Sequence, residues 1–554
     1  MNGKKQLGAI RIIVAQVAAR LGDVAANCDR ACELAARARD WGADLIVFPE
    51  LFLIGYPPED LLFAPRLPDK LAAARAQLAQ ASASTAEGGS VDIVIGSPSF
   101  EDGCIYNSAL HFSAGKLARI YHKQALPNYG VFDERRYFTP GEEAAIINYR
   151  GKRVMLQICE DVWREEAVSE VRLARADLVL TINASPFEYN KLSTRQALVS
   201  GLARQTSTAW LYVNLHGSQD DLIFDGASFC VDKFGILAGQ AREMAAQLWQ
   251  LDFVDGEWPQ ADLLPALDES GRIFQAIAQA TRGYVESTGA GRVLIGLSGG
   301  VDSALCLALA VAALGVERVT TVIMPYIHTR SISLKDARKQ AKKFGVETIE
   351  LPIHQAVDGV VACLKDSIDW DSEGGQLAMQ NIQARCRANL LMALANARGA
   401  LALNTNNKAE LAMGYGTLYG DMAGAYAPLK DLDKQTVYRL ARWCNRDGEW
   451  IVKRIIDREP SAELAPDQLD SDTLPDYELL DNLVRGYIEQ RQSSFDITQA
   501  MSGELITSVL TNIDRNEYKR RQAPLGPKIT QLAFGRDRRM PIANHWRHGD
   551  LDAN

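Results

Sequence analysis

One short glycine-rich segment constrains the fold of this 554-residue chain more than any other. An apolar strand candidate at 293–297 runs into the Ser-Gly-Gly of 298–300, and an apolar helix candidate follows at 303–314. Two adjacent glycines let the backbone turn several N–H groups toward one point, and the helix aims its N-terminus there. This geometry predicts an oxyanion site for pyrophosphate, where Asp302 adds a carboxylate suited to Mg²⁺.

The segment lacks the Lys-Ser or Lys-Thr ending of the loop that cradles a transferred γ-phosphate. It resembles instead the SGG-x-DS loop of ATP pyrophosphatases, which cleave ATP between its α and β phosphates. An ordinary glycine-rich turn is the alternative, and a helix cap is the alternative role for Asp302. The resemblance assigns ATP binding to Gly296, Leu297, Ser298, Gly299, Gly300, Val301, Asp302 and Ser303.

Length and composition favour a large intracellular protein. With 47% hydrophobic residues, the chain can build two or more domains. A net charge of −9 leaves no electrostatic footprint for nucleic acid. The first residues lack the apolar core of a signal peptide, no run reaches membrane-spanning length, and nine cysteines show no metal spacing. A reduced cytoplasmic protein without membrane association is therefore expected.

An acidic stretch interrupted by prolines, at 256–272, is predicted to link a domain at 1–255 to a domain at 273–554. In the first domain, strands mixed with helices predict layers of sheet covered by helices. Its predicted strands are 10–17, 43–49, 91–96, 153–159, 177–183 and 209–215, with a helix at 25–41 and a hairpin at 106–122 that turns at 113–116.

The second domain alternates strands with helices, which predicts a parallel, doubly wound sheet with ligands at the carboxyl ends of its strands. The predicted strands are 293–297, 318–324, 347–352 and 400–404, and the helices are 273–288, 303–314, 333–344 and 378–397. The tail beyond about 455 is rich in proline and charge and is expected to wrap this domain.

Three segments of the first domain end in residues suited to nucleophilic catalysis. Cys159 and Glu50 each end an apolar strand candidate, and Lys123 follows the hairpin. A thiol needs a base, and the oxyanion formed by its attack needs a cation or N–H donors. Glu50 can be the base and Lys123 the cation. Taken singly, each residue has a simpler interpretation as a core thiol, a strand-end charge or a solvated cation.

Together, in the order Phe-Pro-Glu, His-Lys and Cys-Glu-Asp, these segments resemble the Glu-Lys-Cys triad of the nitrilase and amidase superfamily over about residues 8–255. That resemblance implies an α-β-β-α sandwich that releases ammonia from carboxamides through a thioester. It narrows further to the glutaminase domain of glutamine-dependent NAD⁺ synthetases, and this family then fits the whole chain. The family pattern assigns glutamine binding to Tyr129, Ser185 and Lys191.

The stretch 404–421 resembles the family's TGNKSE…GY-x-TLYGD segment. The resemblance assigns Thr405 to ATP, and Glu410 either to Mg²⁺ together with Asp302 or to deamido-NAD⁺. Two carboxylates at equivalent strand ends form a metal-site pattern. Asn406 stands where the family usually has glycine, and asparagine tolerates positive φ better than most residues.

Asn381 and Arg385 resemble the family's N-x-QAR segment and share a helix face at i, i+4. The resemblance assigns both to deamido-NAD⁺, whereas a helix cap followed by a solvated arginine is the alternative. Near the C-terminus, basic segments at 516–524 and 534–541 match the family tail and can supply cations to phosphates. Lys528 resembles a position that binds the dinucleotide.

The family implies a Rossmann-like second domain of the adenine nucleotide alpha-hydrolase type. It also implies ATP-dependent amidation of deamido-NAD⁺ to NAD⁺ with ammonia from L-glutamine, Mg²⁺ as cofactor, and a homo-oligomer. Two alternatives stay open. One is an amidotransferase with the same adenylation loop and a different acceptor, and the other is an amidohydrolase whose second domain binds nucleotide only as a regulator.

Overall fold

The computed structural model describes residues 8–84, 89–259, 261, 263, 266–461, 463–466, 468, 475–493, 497 and 503–546. Its contacts divide the chain into two units, Met1–Asp268 and Glu269–Asn554. Residues 256–268, which include most of the predicted linker, are grouped with the first unit, and the first helix of the second unit begins at Glu269.

Two six-stranded sheets form the centre of the first unit. In the order β14-β1-β2-β3-β4-β5, one sheet contains β1 (Ile10–Gln16), β2 (Leu45–Val47), β3 (Asp92–Glu101), β4 (Cys104–Ser113), β5 (Lys116–His122) and β14 (Gln247–Phe253). In the order β13-β12-β9-β8-β7-β6, the other contains β6 (Ala145–Tyr149), β7 (Lys152–Ile158), β8 (Leu178–Asn183), β9 (Ala209–Asn214), β12 (Phe229–Val231) and β13 (Leu237–Gln240). Strands β10 (His216–Gln219) and β11 (Leu222–Asp225) form a separate hairpin.

Alternating side chains on these strands build three buried layers. On β7, Leu156 and Ile158 pack into the core between the sheets, whereas Met155 packs toward the helices. Helices α1 (Val24–Asp40) and α2 (Leu67–Ser82) cover the first sheet, and α3 (Ala167–Ala174) and α4 (Lys191–Thr206) cover the second. This arrangement confirms the predicted α-β-β-α sandwich.

The second unit contains one parallel sheet in the order β17-β16-β15-β18. Its strands are β15 (Arg292–Gly296), β16 (Val319–Ile323), β17 (Glu347–Glu350) and β18 (Ala400–Leu403). The helices are α5 (Glu269–Ser287), α6 (Val301–Leu314), α7 (Ser331–Phe344), α8 (His354–Cys363), α9 (Glu373–Arg398), α10 (Lys408–Met413), α11 (Lys434–Cys444), α12 (Lys453–Asp457), α13 (Tyr477–Val484), α14 (Gly503–Arg515) and α15 (Glu517–Arg520).

The strand order of this sheet reverses beside β15, because the chain continues to β16 on one side and returns to β18 on the other. Ligands bind at such a switch point in doubly wound sheets. The glycine-rich loop follows β15 and Thr405 follows β18, so both lie at this crevice. The predicted parallel sheet is confirmed.

The predicted start of the long helix at 378–397 is wrong. Helix α9 begins at Glu373, where the Ser372 side chain accepts the N–H of Gly375 at 3.1 Å. Asn381 therefore lies inside the helix and does not cap it. The capping serine lies before a polar first turn, whereas apolar periodicity marks only the later turns. In the described part of the chain, no helix is both long and apolar enough to span a bilayer.

Candidate active sites

Glu50 lies in the turn after β2, where its side chain is buried. Gly96 on β3 permits this turn to pack closely, because a Cβ at Gly96 would lie 2.1 Å from the backbone nitrogen of Leu51. The Asn107 amide donates to Oε1 of Glu50 at 2.8 Å, and the Ala184 N–H donates to Oε2 at 2.8 Å. The carboxylate is therefore fixed from both sheets.

Lys123 follows β5 directly and is buried between two carboxylates. Its Nζ atom lies 2.7 Å from Oε1 of Glu50 and 2.8 Å from Oε2 of Glu134. Burial opposes the charged amine, but the charges of Glu134 and Glu50 outweigh it and raise the pKa of Lys123 well above its ordinary value. Burial raises the pKa of Glu134 to about 7, against the lowering effect of Lys123.

Sequence analysis did not select Glu134. The Tyr56 hydroxyl and the Lys123 amine both donate to its Oε1 atom, each at 2.9 Å. Several other acidic residues occur nearby in the chain, and only burial distinguishes Glu134 from them. No local pattern in the sequence reports that burial.

Cys159 follows β7 and adopts a φ of 45°, which is uncommon outside glycine and is often found at functional sites. Buried Asp161 fixes this turn, because its carboxylate accepts the N–H groups of Ile158 at 2.9 Å and Ala125 at 2.8 Å. Burial and then Glu50 raise the pKa of the Cys159 thiol, which Lys123 lowers. A neutral thiol of this kind needs a base to become a nucleophile.

The three residues assigned to glutamine lie around this turn. Tyr129 is exposed and donates to Oε1 of Glu160 at 2.9 Å. Lys191 begins α4, where its Nζ atom lies 5.2 Å from the centre of the Trp163 ring. Burial raises the pKa of Glu160, which Tyr129 and Lys191 lower. Ser185 is buried just beyond the end of β8.

In the second unit, two contacts hold the glycine-rich loop after β15. Gly299 has a φ of 87°, and a Cβ at this position would lie 2.4 Å from the carbonyl oxygen of Ser333. The Arg458 guanidinium donates to the Gly299 carbonyl at 2.7 Å. The Ser298 hydroxyl accepts the N–H of Gly300 at 3.2 Å. Helix α6 then begins at Val301, two residues earlier than predicted.

Asp302 and Glu410 follow the neighbouring strands β15 and β18 and come together at Lys434. The Lys434 amine lies 2.7 Å from Oδ2 of Asp302 and 3.6 Å from Oε1 of Glu410. Asn407 donates to Oδ1 of Asp302 at 3.0 Å. Burial, and then the charge of Asp302, raise the pKa of Glu410 to about 7.

Asp302 and Glu410 offer the carboxylate oxygens that a hard divalent cation prefers. Two like charges at one buried strand edge favour a cation, and Mg²⁺ commonly takes one or two carboxylates together with phosphate oxygens and water. Among the described residues, no group of three or more His, Cys, Asp or Glu side chains could hold a metal. Lys434, which sequence analysis did not select, supplies the positive charge between the two carboxylates.

Asn406 does not need the conformation that glycine favours. Residues 405–407 are described, and none has a positive φ. The Asn406 N–H donates to Oδ1 of Asn404 at 2.9 Å, and its side-chain amide donates to Oε2 of Glu410 at 3.2 Å. The side chain that replaces the family glycine therefore contacts a carboxylate assigned to the site. Half-buried Thr405 lies between these two asparagines.

Asn381 and Arg385 share one face of α9, as predicted, and both contact the 414–421 stretch. Thr417 donates its hydroxyl to Oδ1 of Asn381 at 2.8 Å, and Nε of Arg385 donates to the Leu418 carbonyl at 3.1 Å. Lys528 is buried elsewhere in the tail, where its amine donates to the Gln531 carbonyl at 3.1 Å.

Other charges of the basic tail also form contacts within the second unit. The Lys519 amine donates to the carbonyls of Gly414 at 2.7 Å and Gly416 at 2.9 Å. The Arg538 guanidinium lies 3.2 Å from a carboxylate oxygen of Asp514. The Lys519 contacts attach the tail to the loop that follows α10, and the Arg538 contact attaches it to α14.

Comparison with known proteins agrees with this division. Residues 11–254 match the carbon-nitrogen hydrolase family model, and residues 273–523 match the NAD synthase model. The glutamine-dependent NAD(+) synthetase of Acinetobacter baylyi is 42% identical over 98% of this chain and 99% of that protein. The protein of the same name from Thermotoga maritima is 38% identical over 97% of this chain and 99% of that protein.

Solved structures give the same result. The glutamine-dependent NAD+ synthetase of Acinetobacter baumannii, solved in complex with adenosine diphosphate, has a TM-score of 0.78 at 40% identity and covers 98% of this chain and 100% of that chain. The Cytophaga hutchinsonii synthetase, at 21% identity and a TM-score of 0.83, shares the fold over 97% of this chain and 98% of that chain. The chain therefore belongs to the glutamine-dependent NAD⁺ synthetase family.

Proposed function

We propose that this chain amidates deamido-NAD⁺ to NAD⁺, with ATP as the activating substrate and L-glutamine as the source of ammonia. The observation that carries this proposal is the presence, in one chain, of a buried Glu50–Lys123 pair beside Cys159 and of a glycine-rich loop beside Asp302 and Glu410. The full-length similarity to synthetases of this name favours deamido-NAD⁺ over other acceptors.

In the first unit, Glu50 takes the proton of Cys159, and the thiolate attacks the side-chain carboxamide of glutamine. Lys123 stabilises the oxyanion, since its amine remains charged between Glu50 and Glu134. Glu50 passes this proton to the leaving nitrogen, the carbon–nitrogen bond breaks, and ammonia departs. The thioester that forms is then hydrolysed by water to glutamate. Tyr129, Ser185 and Lys191 bind the amino-acid part of glutamine.

In the second unit, the nicotinate carboxylate of deamido-NAD⁺ attacks the α-phosphorus of ATP and displaces pyrophosphate. Ammonia then displaces AMP from the adenylate and forms the carboxamide of NAD⁺. The N–H groups of 298–303 hold the pyrophosphate, and Thr405 contacts the nucleotide. Mg²⁺, held by Asp302 and Glu410, would neutralise charge on the phosphates. Lys434 lies beside both carboxylates and adds positive charge at the same edge.

Deamido-NAD⁺ is assigned to the edge formed by Asn381, Arg385 and the 414–421 stretch. The contacts of Asn381 with Thr417 and of Arg385 with Leu418 support this assignment, since they hold helix and stretch together. Lys528 is a further proposed contact, although its amine already donates to the Gln531 carbonyl and lies 3.5 Å from a carboxylate oxygen of Asp537. It would have to exchange at least one of these partners to reach a phosphate.

The test is an assay of AMP, pyrophosphate and NAD⁺ with ATP, Mg²⁺ and deamido-NAD⁺, using either glutamine or an ammonium salt. We expect equal amounts of the three products with either nitrogen source. Release of AMP with a different acceptor, or glutamine hydrolysis without AMP release, would rule the proposal out.

We also propose a cytoplasmic homo-oligomer. The nine cysteines are all free, which agrees with a reducing compartment. Light scattering tests the assembly.

A further inference from the structure

Six unpartnered polar atoms lie on the face of the second sheet that the helices cover. They belong to Gln157, Asn183, Arg195 and Tyr212, and they have no hydrogen-bond partner among the described residues. Each of these side chains is at most 1% exposed. Gln157 pairs in register with Thr181 on β8, and Thr181 pairs with Tyr212 on β9, so the three side chains share one face. Asn183 lies two residues further along the same face of β8.

This cluster adjoins the nucleophile. Gln157 lies two residues before Cys159 on β7, and the charge of Cys159 is among the causes that raise the pKa of Tyr212, after burial. Glu50 and Lys123 follow strands of the first sheet, whereas the cluster is built on the second sheet and α4. Cys159 is therefore close both to the proposed base and to a separate group of buried polar side chains.

The chemistry of the cluster selects its ligand. Arg195 is paired with Asp225, so the cluster has no uncompensated charge. Its unpartnered atoms include donors on Arg195 and an acceptor on Asn183, and the amide of Gln157 is both. A carboxylate ligand is unfavourable, because it would lie against the acceptor oxygens of the cluster. A cationic ligand is unfavourable as well, because it would lie against the charge of Arg195. A small neutral molecule that donates and accepts satisfies all of them, and water is the usual partner of such buried groups.

We propose that this cluster binds the water that hydrolyses the glutamyl thioester, an inference that rests on the glutaminase activity proposed above. In the thioester, the amino-acid part of the substrate would occupy the side lined by Tyr129 and Lys191. Water then reaches the reacting carbon from the interior side. The water oxygen bonds to the thioester carbon and its proton passes to Glu50. The carbon–sulfur bond breaks, glutamate forms, and the Cys159 sulfur takes the proton back.

Tyr212→Phe and Gln157→Met test this role, because they remove the polar atoms and keep the side-chain volume close to the original. With slower deacylation, we expect kcat for glutamine hydrolysis and KM to fall together by about tenfold, while kcat/KM stays unchanged because acylation is intact. Mass spectrometry of the intact protein during turnover should show a glutamyl adduct that the wild type does not accumulate. Met155→Leu, on the same face of β7, is the matched control and should alter neither value.

A fall in kcat/KM parallel to kcat would place the cluster in substrate binding or acylation and overturn the proposal. Unchanged kinetics in both variants would also overturn the proposal. A normal rate of glutamine hydrolysis with less NAD⁺ formed per glutamine would overturn it as well, because that result would indicate an ammonia site. Tyr212→Phe removes one hydroxyl and keeps the buried ring, so it should melt close to the wild type and keep the test valid. If the wild type itself fails to hydrolyse glutamine, the proposed function fails instead.

Discussion

The Nζ atom of Lys123 lies 2.7 Å from Oε1 of Glu50, and neither side chain is exposed to solvent. A buried ion pair persists only where further hydrogen bonds compensate its lost hydration. Here Asn107 and Ala184 donate to Glu50, and Glu134 accepts from Lys123. The proposed base and the proposed oxyanion cation are therefore fixed by one connected network, and the following predictions use that connection.

Cys159→Ala should abolish NAD⁺ formation with glutamine and retain it with concentrated ammonium salt. The nucleophile and the adenylation loop lie in separate units, so loss of the thiol leaves the second reaction intact. The measurement is NAD⁺ produced with each nitrogen source, with thermal melting as the control for folding. Failure of ammonium to support a folded variant would contradict the proposed division of labour.

Lys123→Ala should lower kcat of the glutaminase by roughly a hundredfold or more, as removal of an oxyanion donor does. It also leaves Glu50 and Glu134 as buried carboxylates without their cation, so we expect a stability loss of about 3–5 kcal/mol. Chemical denaturation measures the loss of stability, and the ammonium-supported rate of NAD⁺ formation shows whether the second unit still functions. An active glutaminase in this variant would exclude Lys123 from the reaction.

Glu134→Gln should change the pH dependence of stability. The pKa of this carboxyl is about 7 in the folded protein against an ordinary value of 4.5, so the folded state binds its proton more tightly. Its contribution to the free energy of unfolding is therefore greatest below pH 4.5 and falls as the pH rises toward 7. Denaturant titrations between pH 4.5 and 7 should show this decline in the wild type and a smaller decline in the variant. If the free energy of unfolding falls equally with pH in both proteins, Glu134 is not the group responsible.

Asp302→Asn should abolish synthesis with both glutamine and ammonium, because a neutral amide binds Mg²⁺ poorly. Cys159 should still form its thioester. A purely structural carboxylate would instead cost stability and leave the chemistry in place. Helix capping is not that role, because Gly300 is the N-cap of α6 and Asp302 lies within the helix. The carboxylate bonds Lys434 and Asn407, which favours the first outcome. AMP release measured beside thermal melting distinguishes the two.

Gly299→Ala should disable the second site and leave glutamine hydrolysis intact. The new Cβ would meet the Ser333 carbonyl at 2.4 Å, in a backbone conformation that costs about 1–3 kcal/mol outside glycine. Gly291→Ala is the matched control, since a Cβ there has no atom within 4 Å and φ is not positive. The readout is ammonium-supported NAD⁺ formation, and comparable rates in the two variants would mean that the loop tolerates the change.

Local patterns were sufficient to predict the sheet layers of the two units and the ends of the strands that present Glu50, Cys159 and Asp302. An apolar strand that stops at a polar residue is a feature of neighbouring residues, so a single sequence reveals it. The paired glycines before α6 and the alternation of strands and helices are equally local. These features predicted the fold class and the candidate catalytic residues, whereas the family came from the resemblance of the motifs to known proteins.

Only the tertiary structure decided which distant groups complete each site. Glu134 and Lys434 contact their partners because separate segments converge, and the buried cluster at Gln157 and Tyr212 depends on strand register. Lys528 differs, because its amine donates to the Gln531 carbonyl only three residues away. Burial and through-space charge depend on three-dimensional packing, so no pattern of neighbouring residues could have specified them.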